Sequence, residues 1–332
     1  MTSQFKLSCK QKLALAGVAG VAALTLGKIY FNGAVCKLTR DLSGQVVVIT
    51  GANTGIGFET AKALAKFKAT VILACRDEKR TNAAIEQIKK ETGNQDVVFM
   101  KLDLSDLASV KEFAQNFKAK YDKLNILINN AGVMALPQRV TSKDGYELQF
   151  ATNHLGHFYL TNLLLDVIKK SAPSRIINLS SMIQLRGKFN FEDINAEKAY
   201  DPLEAYAQSK LANVVFTKEL QRRLEGTQIK VVSLHPGAVR TELARYILGP
   251  VYMKIVYALG YPFYWYFTKS ALQGAQTTLY CALVDHDKLV PGAYYSDCKT
   301  KKPNKAALNE ENWKRLWEVS ENLIKEKVAK LK

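Results

Sequence analysis

The sequence predicts an α/β fold, a doubly wound parallel sheet with helices on both faces, preceded by an N-terminal membrane-anchor helix. Three observations carry this reading. Six short β-branched runs alternate with amphipathic stretches of helical length, a glycine-rich turn directly follows the first run, and an uncharged apolar segment lies near the start. Hydrophobic residues make up 48% of the 332 and charged residues 23%, which excludes a disordered chain, collagen and a polytopic membrane bundle.

Taken in order, residues 13–27 read LALAGVAGVAALTLG, and after Lys28 the apolar run resumes as Ile29-Tyr30-Phe31. The span 13–31 holds 19 residues, close to the roughly 20 that a helix needs to cross a bilayer core. Lys28 can snorkel, and Tyr30 falls where an interfacial aromatic belongs. The competing reading is a cleaved signal peptide with Lys6, Lys10 and Lys12 as its basic n-region. The five cysteines are odd in number and scattered, which argues against export and encodes neither a disulfide framework nor a zinc site. Lys6, Lys10 and Lys12 on one side nearly balance Lys28, Lys37 and Arg40 on the other, so orientation stays open. We divide the chain into an anchor segment, 1–40, and a folded domain, 41–332.

The runs 46–50, 70–74, 97–102, 126–129, 175–179 and 229–234 are nearly continuous in apolar residues, as strands covered on both faces are. Asp106 can open the helix LASVKEFAQNFKAKY, and Gly226 follows the basic last turn of another. Ligands of such sheets bind at the carboxyl ends of the strands. There the first turn reads TGANTGIG, with Gly51, Gly55 and Gly57. Gly51 lets the chain leave the strand, Gly55 admits a pyrophosphate, and Gly57 lets the helix pack while its N–H groups face the phosphates. The spacing is G-x-x-x-G-x-G rather than G-x-G-x-x-G. At the end of the second run Cys75 and Arg76 stand where an NAD site places an acid. Arg76, helped by Lys79 or Arg80, can pair with a 2′-phosphate, which favours NADP over NAD; the neighbouring Asp77 complicates this.

The net charge is +17. Residues 1–44 and 299–332 each carry +5, leaving only +7 for 45–298. That is a weak footprint for a nucleic-acid binder, and no motif for one is present. Basic tails beside an apolar segment suit an anionic membrane surface, although a solvated C-terminal tail explains its share equally well. His154, His157, His235 and His286 lack metal-ligand spacing and read as structural, or as supporting the site from behind; no metal site is expected.

Asn129-Asn130-Ala131-Gly132 close the fourth run, Asn153 falls in a long helical stretch, Ser180-Ser181 follow the fifth run, and Tyr206 and Lys210 are four apart on one helix face. A phenol, with a reference pKa of about 10, works as an acid or base near neutrality when a fixed cation stands beside it. This set resembles the short-chain dehydrogenase/reductase family, from about Gly44 to Asp297, with Thr50 to Gly57, Asp103, Asn129 to Gly132, Asn153, Ser181, Tyr206, Lys210, Pro236-Gly237 and Thr241 carrying the likeness. The stretches CRDEKR, NHLGHF and SKLAN are similar to the membrane-anchored retinol dehydrogenase branch.

The resemblance implies a Rossmann sheet and roles for single residues. Tyr206 is the general acid or base, Ser181 polarises the substrate oxygen, Lys210 holds the nicotinamide ribose and lowers the tyrosine pKa, and Asn153 positions a relay water. Asp103 and Leu104 border the adenine. Asn53, Thr54, Ile56, Asn130, Ala131 and Gly132 pass the cofactor backbone, and Pro236, Gly237 and Thr241 border the nicotinamide. Ser181 is chosen over Ser180 because the family's serine falls three residues after the strand asparagine, here Asn178. Ser181 and Tyr206 stand 25 residues apart, so residues 182–201 are an insertion, at the substrate rim or merely on the surface. Residues 246–267 hold nine aromatics in 22 positions, where the family's lid lies. Such a segment suits a lipophilic substrate and a membrane interface, or a plain core helix.

The expected function is NADP(H)-dependent hydride transfer between nicotinamide and a lipophilic carbonyl/alcohol pair, retinal/retinol first. A steroid, sterol or lipid-aldehyde reductase is the alternative within enzymes, and a non-catalytic membrane scaffold the alternative outside them. The expected location is the endoplasmic reticulum membrane with the domain facing the cytosol; a homodimer is left open.

Overall fold

The structure, a computed structural model, describes residues 8–243 and 251–329. Its centre is an eight-stranded sheet in the order β3-β2-β1-β4-β5-β6-β7-β8. The strands are β1 (Val46–Thr50), β2 (Thr70–Cys75), β3 (Val97–Lys101), β4 (Ile126–Asn129), β5 (Ser174–Leu179), β6 (Ile229–His235), β7 (Tyr294–Ser296) and β8 (Lys299–Lys301). All pairings are parallel except β7 with β8. The order reverses between β1 and β4, which places the topological switch point at the ends of those two strands. Every residue of β1, β4 and β5 is buried, the physical reason these strands read as unbroken apolar runs.

The helices are α1 (Cys9–Asn32), α2 (Gly55–Lys66), α3 (Glu78–Thr92), α4 (Leu107–Lys120), α5 (Leu148–Phe150), α6 (Gly156–Lys170), α7 (Pro202–Arg223), α8 (Val251–Phe267), α9 (Ala271–Gly274), α10 (Gln276–Leu283) and α11 (Glu310–Val328). Strand side chains alternate between two cores. Val48 and Ile72 meet α4, α6, α7 and α11 on one face, while Val47, Ile49 and Val71 meet α2, α3 and α10 on the other. Asp106 caps α4 by accepting from the N–H groups of Ala108 and Ser109 at 3.0 and 3.3 Å. Asp77 and Asp201 cap α3 and α7 in the same way.

Helix α7 is buried through most of its length because α11 covers the side turned away from the sheet. Trp317 of α11 packs edge-on against Phe158 at 4.8 Å, and Arg223 lies 4.0 Å over its ring. Helix α1 stands outside both cores, with most of its residues exposed. At 24 residues it is about 36 Å long, and by length and composition it can cross a membrane. The chain touches the domain before residue 41: the Cys36 N–H donates to Gln276 Oε1 at 2.9 Å.

Candidate active site

The turn after β1 holds Gly51 and Gly55 at φ 62° and 58°, a region that L side chains avoid. At Gly57 a Cβ would lie 2.4 Å from the Gly51 carbonyl, so only glycine lets α2 start this close to β1. Thr54, the N-cap of α2, makes no side-chain bond to the helix, which leaves the first N–H groups of α2 available to an anion. A cleft of about 350 Å³ opens over this turn.

The cleft gathers most of the residues chosen from sequence for a nucleotide: Gly51 and Asn53 through Gly57, Arg76, Asp103 with Leu104, Asn130 through Gly132, and Thr241. It does not gather Pro236, Gly237, Tyr206 or Lys210. Gly237, at φ 100°, instead packs against the stem of Lys269. Arg76 is exposed, 3.9 Å from Asp103, whereas Arg80 is held by both oxygens of Glu242 at 2.8 and 2.9 Å. Glu242, Val133 and Thr152 line the cleft without having been singled out from sequence. Each is the chain neighbour of a residue that was singled out, Thr241, Gly132 and Asn153, and adjacency was the signal that could have found it.

The four residues chosen for catalysis converge where the cleft ends at Gly132 and Val133. Asn153 Oδ1 accepts from the Val133 N–H at 2.8 Å, and its Nδ2 donates to Val133 O and Ser209 Oγ, both at 2.9 Å. A Cβ on Gly132 would lie 3.0 Å from Asn153 Oδ1 and 3.3 Å from Lys210 Nζ, so all three groups share one small space. Lys210 Nζ donates to Leu179 O at 3.2 Å and lies 5.8 Å from the centre of the Tyr206 ring. Ser181 stands close enough to the Tyr206 phenol to favour its ionised form. Ser180 is turned away, its hydroxyl donating to Lys210 O at 2.7 Å.

Burial pushes the Tyr206 phenol up to about 12, with Ser181 opposing, and burial brings the Lys210 ammonium down to about 8. The sequence led to the opposite expectation for the phenol. Lys210 is directed at the Leu179 carbonyl, and desolvation of a phenolate outweighs what remains of its attraction.

Asn153 does not lie in an ordinary helix. Residues Ala151–Leu155 form a π-helical turn between α5 and α6, the kind of wide turn that often marks functional positions. His157 secures it. Its Nδ1 faces the Asn153 carbonyl at 3.0 Å and its Nε2 faces Thr50 Oγ1 at 2.9 Å. A carbonyl only accepts, so Nδ1 carries the proton and Nε2 accepts from the Thr50 hydroxyl. Thr50 Oγ1 in turn accepts the N–H groups of Asn130 and Ala131, both at 2.9 Å. The nucleotide turn, the end of β4 and the Asn153 turn are thus wired together through one imidazole and one hydroxyl. His154 is buried beside it, 2.9 Å from Ser320 Oγ of α11. His235 Nδ1 accepts from the Met182 N–H at 3.0 Å, next to Ser181.

Residues 182–201 fold against the start of α7 and are pinned from the other side by Asn304, whose Nδ2 donates to Gln184 O at 2.7 Å and Gly187 O at 2.9 Å. They enclose a second cavity of about 580 Å³, lined by Phe189, Leu203 and Gln208 among others but not by Ser181 or Tyr206. The aromatic segment 246–267 begins outside the described residues, which resume at Val251 with α8.

Comparison with known proteins agrees with this geometry. Residues 45–248 match the family model of short chain dehydrogenases. The chain is 46% identical to mouse retinol dehydrogenase 12 over 295 residues, 89% of this chain and 91% of that one. It is equally identical to human retinol dehydrogenase 11 (92% and 93% covered) and human retinol dehydrogenase 13 (94% and 93%). Among solved structures, a protein from Mycobacterium paratuberculosis aligns with a TM-score of 0.70 at 36% identity, covering 87% of this chain and 96% of its own. A Shigella flexneri short chain dehydrogenase crystallised with NADP shares the fold, with a TM-score of 0.59 at 24% identity over 79% of this chain and all of its own. Sequence, fold and site agree that the chain belongs to the short-chain dehydrogenase family, retinol dehydrogenase branch, and is an oxidoreductase that uses a nicotinamide dinucleotide.

Proposed function

We propose that the protein is a membrane-anchored, NADP(H)-dependent reductase of lipophilic aldehydes, with retinal to retinol as its reaction. The carrying observation is the convergence of Asn153, Ser181, Tyr206 and Lys210 at the end of a cleft whose other end has Arg76 directly after β2, while Asp77 beside it accepts from the Arg80 N–H as the cap of α3. The cleft fits a dinucleotide: a glycine cradle, uncapped N–H groups at α2, and Asp103 with Leu104 beyond the switch point. Asn53, Thr54, Ile56, Asn130 and Ala131 would hold the pyrophosphate and ribose backbone, and Arg76 a 2′-phosphate. The bound nicotinamide supplies the hydride.

The chain's own residues manage the proton. With its pKa raised, Tyr206 keeps its proton at neutral pH and donates it to the carbonyl oxygen as that oxygen gains charge. Ser181 donates a second hydrogen bond to the same oxygen, and Lys210, largely protonated at pH 7, holds the ribose and stabilises the phenolate left behind. Asn153 fixes the backbone of Val133 on the cleft wall. The 46% identical relatives that are named retinol dehydrogenases support a retinoid.

The test is oxidation of NADPH against NADH by the full chain in phospholipid vesicles, with retinal, a ketosteroid and a medium-chain aldehyde offered separately. Preferred turnover of retinal with NADPH is the expected result; preference for the ketosteroid moves the reading to a steroid reductase, and NADH preference removes the role of Arg76. We further place the chain in the endoplasmic reticulum with residues 41–332 toward the cytosol. Full protease protection of the domain in intact microsomes would refute that placement.

A further inference from the structure

Lys269 is a cation whose side chain is only 9% exposed, and three parts of the chain meet at it. Its backbone brackets Val239: the Lys269 N–H donates to Ala238 O at 2.7 Å and the Arg240 N–H to Lys269 O at 3.0 Å, and Val239 and Lys269 form a parallel bridge. Its stem fills the space beside Gly237, where a Cβ would lie 2.6 Å from Lys269 Cδ. Its ammonium donates to Asp297 Oδ1 at 2.6 Å, in the turn that follows β7. The third part is the end of α1. Gly33 is the C-cap of that helix at φ 75°, and a Cβ on it would overlap both Lys269 Nζ and Asp297 Oδ1. Only glycine lets α1 end directly against this ion pair.

The segment that Lys269 brackets runs into the wall of the nucleotide cleft. Thr241 lines the cleft, and a Cβ on Gly55 of the glycine turn would lie 3.2 Å from Thr241 Cγ2. A Cβ on Gly274 would touch both Val239 and Ile56, so Val239 meets the first turn of α2 there. A buried ammonium has to keep its counter-ion, because desolvation penalises an unpaired charge. Lys269 and Asp297 therefore move together or not at all. Whatever displaces the pair displaces the stem beside Gly237 and the bracket on Val239, two residues from Thr241.

We propose that Lys269 is a positioning residue for the dinucleotide: held between Asp297 and the end of α1, it fixes residues 237–241 as a wall of the cleft, so that the seating of α1 on the domain is felt at the cofactor. Helix α1 is then part of the cofactor site's framework as well as a tether. This rests on the cleft being the dinucleotide site, and not on which carbonyl is reduced.

The test titrates NADPH and NADH, by their fluorescence, into the full chain in phosphatidylcholine vesicles and follows whichever binds more tightly. Lys269→Met keeps the stem and removes the charge, whereas Gly33→Ala lies outside residues 41–332. Each should weaken the dinucleotide about fivefold or more, with the double variant no weaker than the worse single one. Gly20→Ala, at a position of α1 where a Cβ meets nothing within 4 Å, should bind as the parent does. In turnover of retinal, Lys269→Met and Gly33→Ala should raise KM for the dinucleotide and leave kcat intact, whereas a purely structural loss lowers the active fraction, and with it kcat, at unchanged KM. Parental affinity in Gly33→Ala, or in a Lys269→Met that melts cooperatively, overturns the positioning role. Losses that add in the double variant overturn the link between α1 and the cleft. If Lys269→Met does not fold, Gly33→Ala decides alone. A parent that binds a dinucleotide but turns over no retinal refutes the proposed reaction and leaves the affinities to decide this inference; a parent that binds neither dinucleotide refutes the assignment of the cleft and this inference with it.

Discussion

Thr50 has one hydroxyl proton and two lone pairs, and all three are committed, to His157 and to the N–H groups of Asn130 and Ala131. Thr50→Val keeps the shape but leaves the Ala131 N–H and an imidazole nitrogen without a partner, while the Asn130 N–H keeps Ile128 O at 3.0 Å. Leaving buried polar groups unpaired costs about 1–3 kcal/mol each, so the variant should lose several kcal/mol in urea unfolding and bind NADPH more weakly. A variant of parental stability and affinity would show that water replaces the hydroxyl. Tyr206 answers a different question, because only its proton matters to the proposed chemistry. Tyr206→Phe should lower kcat by roughly 10² to 10⁴ with NADPH affinity nearly intact, and unchanged turnover would remove its role. The sequence made Tyr206 and Lys210 legible, since residues four apart share a helix face wherever the helix lies. It could not make the Thr50–His157 link legible. Those residues are 107 positions apart, and only the packing of α6 on β1 brings them together.

Among elements, those specified by local rules were readable and those specified by crossings were not. Strands β1 to β6 fall within a residue or so of their expected bounds; for all but the edge strand β3, where only Val97 is buried, the reason is that two-sided burial demands continuous apolar runs. Strands β7 and β8 were missed: each has three residues, and β8 is Lys299-Thr300-Lys301, exposed throughout, with no apolar pattern to show. The π-helical turn at Ala151–Leu155 was taken for part of a long helix, since one extra residue in a turn leaves composition unchanged. The end of β2 is the case where an element's terminus carries specificity. Cys75 is buried and accepts the Ala52 N–H at 3.1 Å, which leaves Arg76 as the first side chain free to reach a ribose. A charge-assisted bond is worth about 1.5–3 kcal/mol, so Arg76→Ala should weaken NADPH roughly ten- to hundredfold and leave NADH unaffected, as read by fluorescence titration of each. Equal weakening of both would show that Arg76 does not read the 2′-phosphate, leaving that task to Arg80 in exchange for Glu242.

At the scale of the whole molecule, the same core that orders the site makes it sensitive to acid. His154 and His157 are almost fully buried, and burial lowers them to about 3 and about 4, against an ordinary value near 6.5. As pH falls below 6.5 the unfolded chain takes up protons at these positions while the folded chain does not. Stability therefore falls with pH across the window from about 6.5 to about 4, and the full contribution is present only above it. Each group lowers stability by roughly 1.4 kcal/mol per pH unit well inside that window, so at pH 5 each removes about 2 kcal/mol relative to neutral pH. The effect reaches the site and the C-terminus together, because His157 joins Thr50 to the Asn153 carbonyl and His154 joins the same turn to Ser320 of α11. Carboxylates held low by ion pairs, such as Asp106 beside Lys143, also lose stability on acidification, but below the usual carboxylate range and so at lower pH. The two contributions separate in a comparison of variants. Between pH 7.5 and 5, His154→Asn should lose less Tm than the parent, by roughly 3–6 °C, although its Tm at pH 7.5 is lower because Phe158, Phe216 and Ser320 lose their partner. Parallel Tm curves for parent and variant would show that His154 titrates alike in the folded and unfolded chain, and the acid sensitivity would then belong to the surface charge rather than to the core beneath the site.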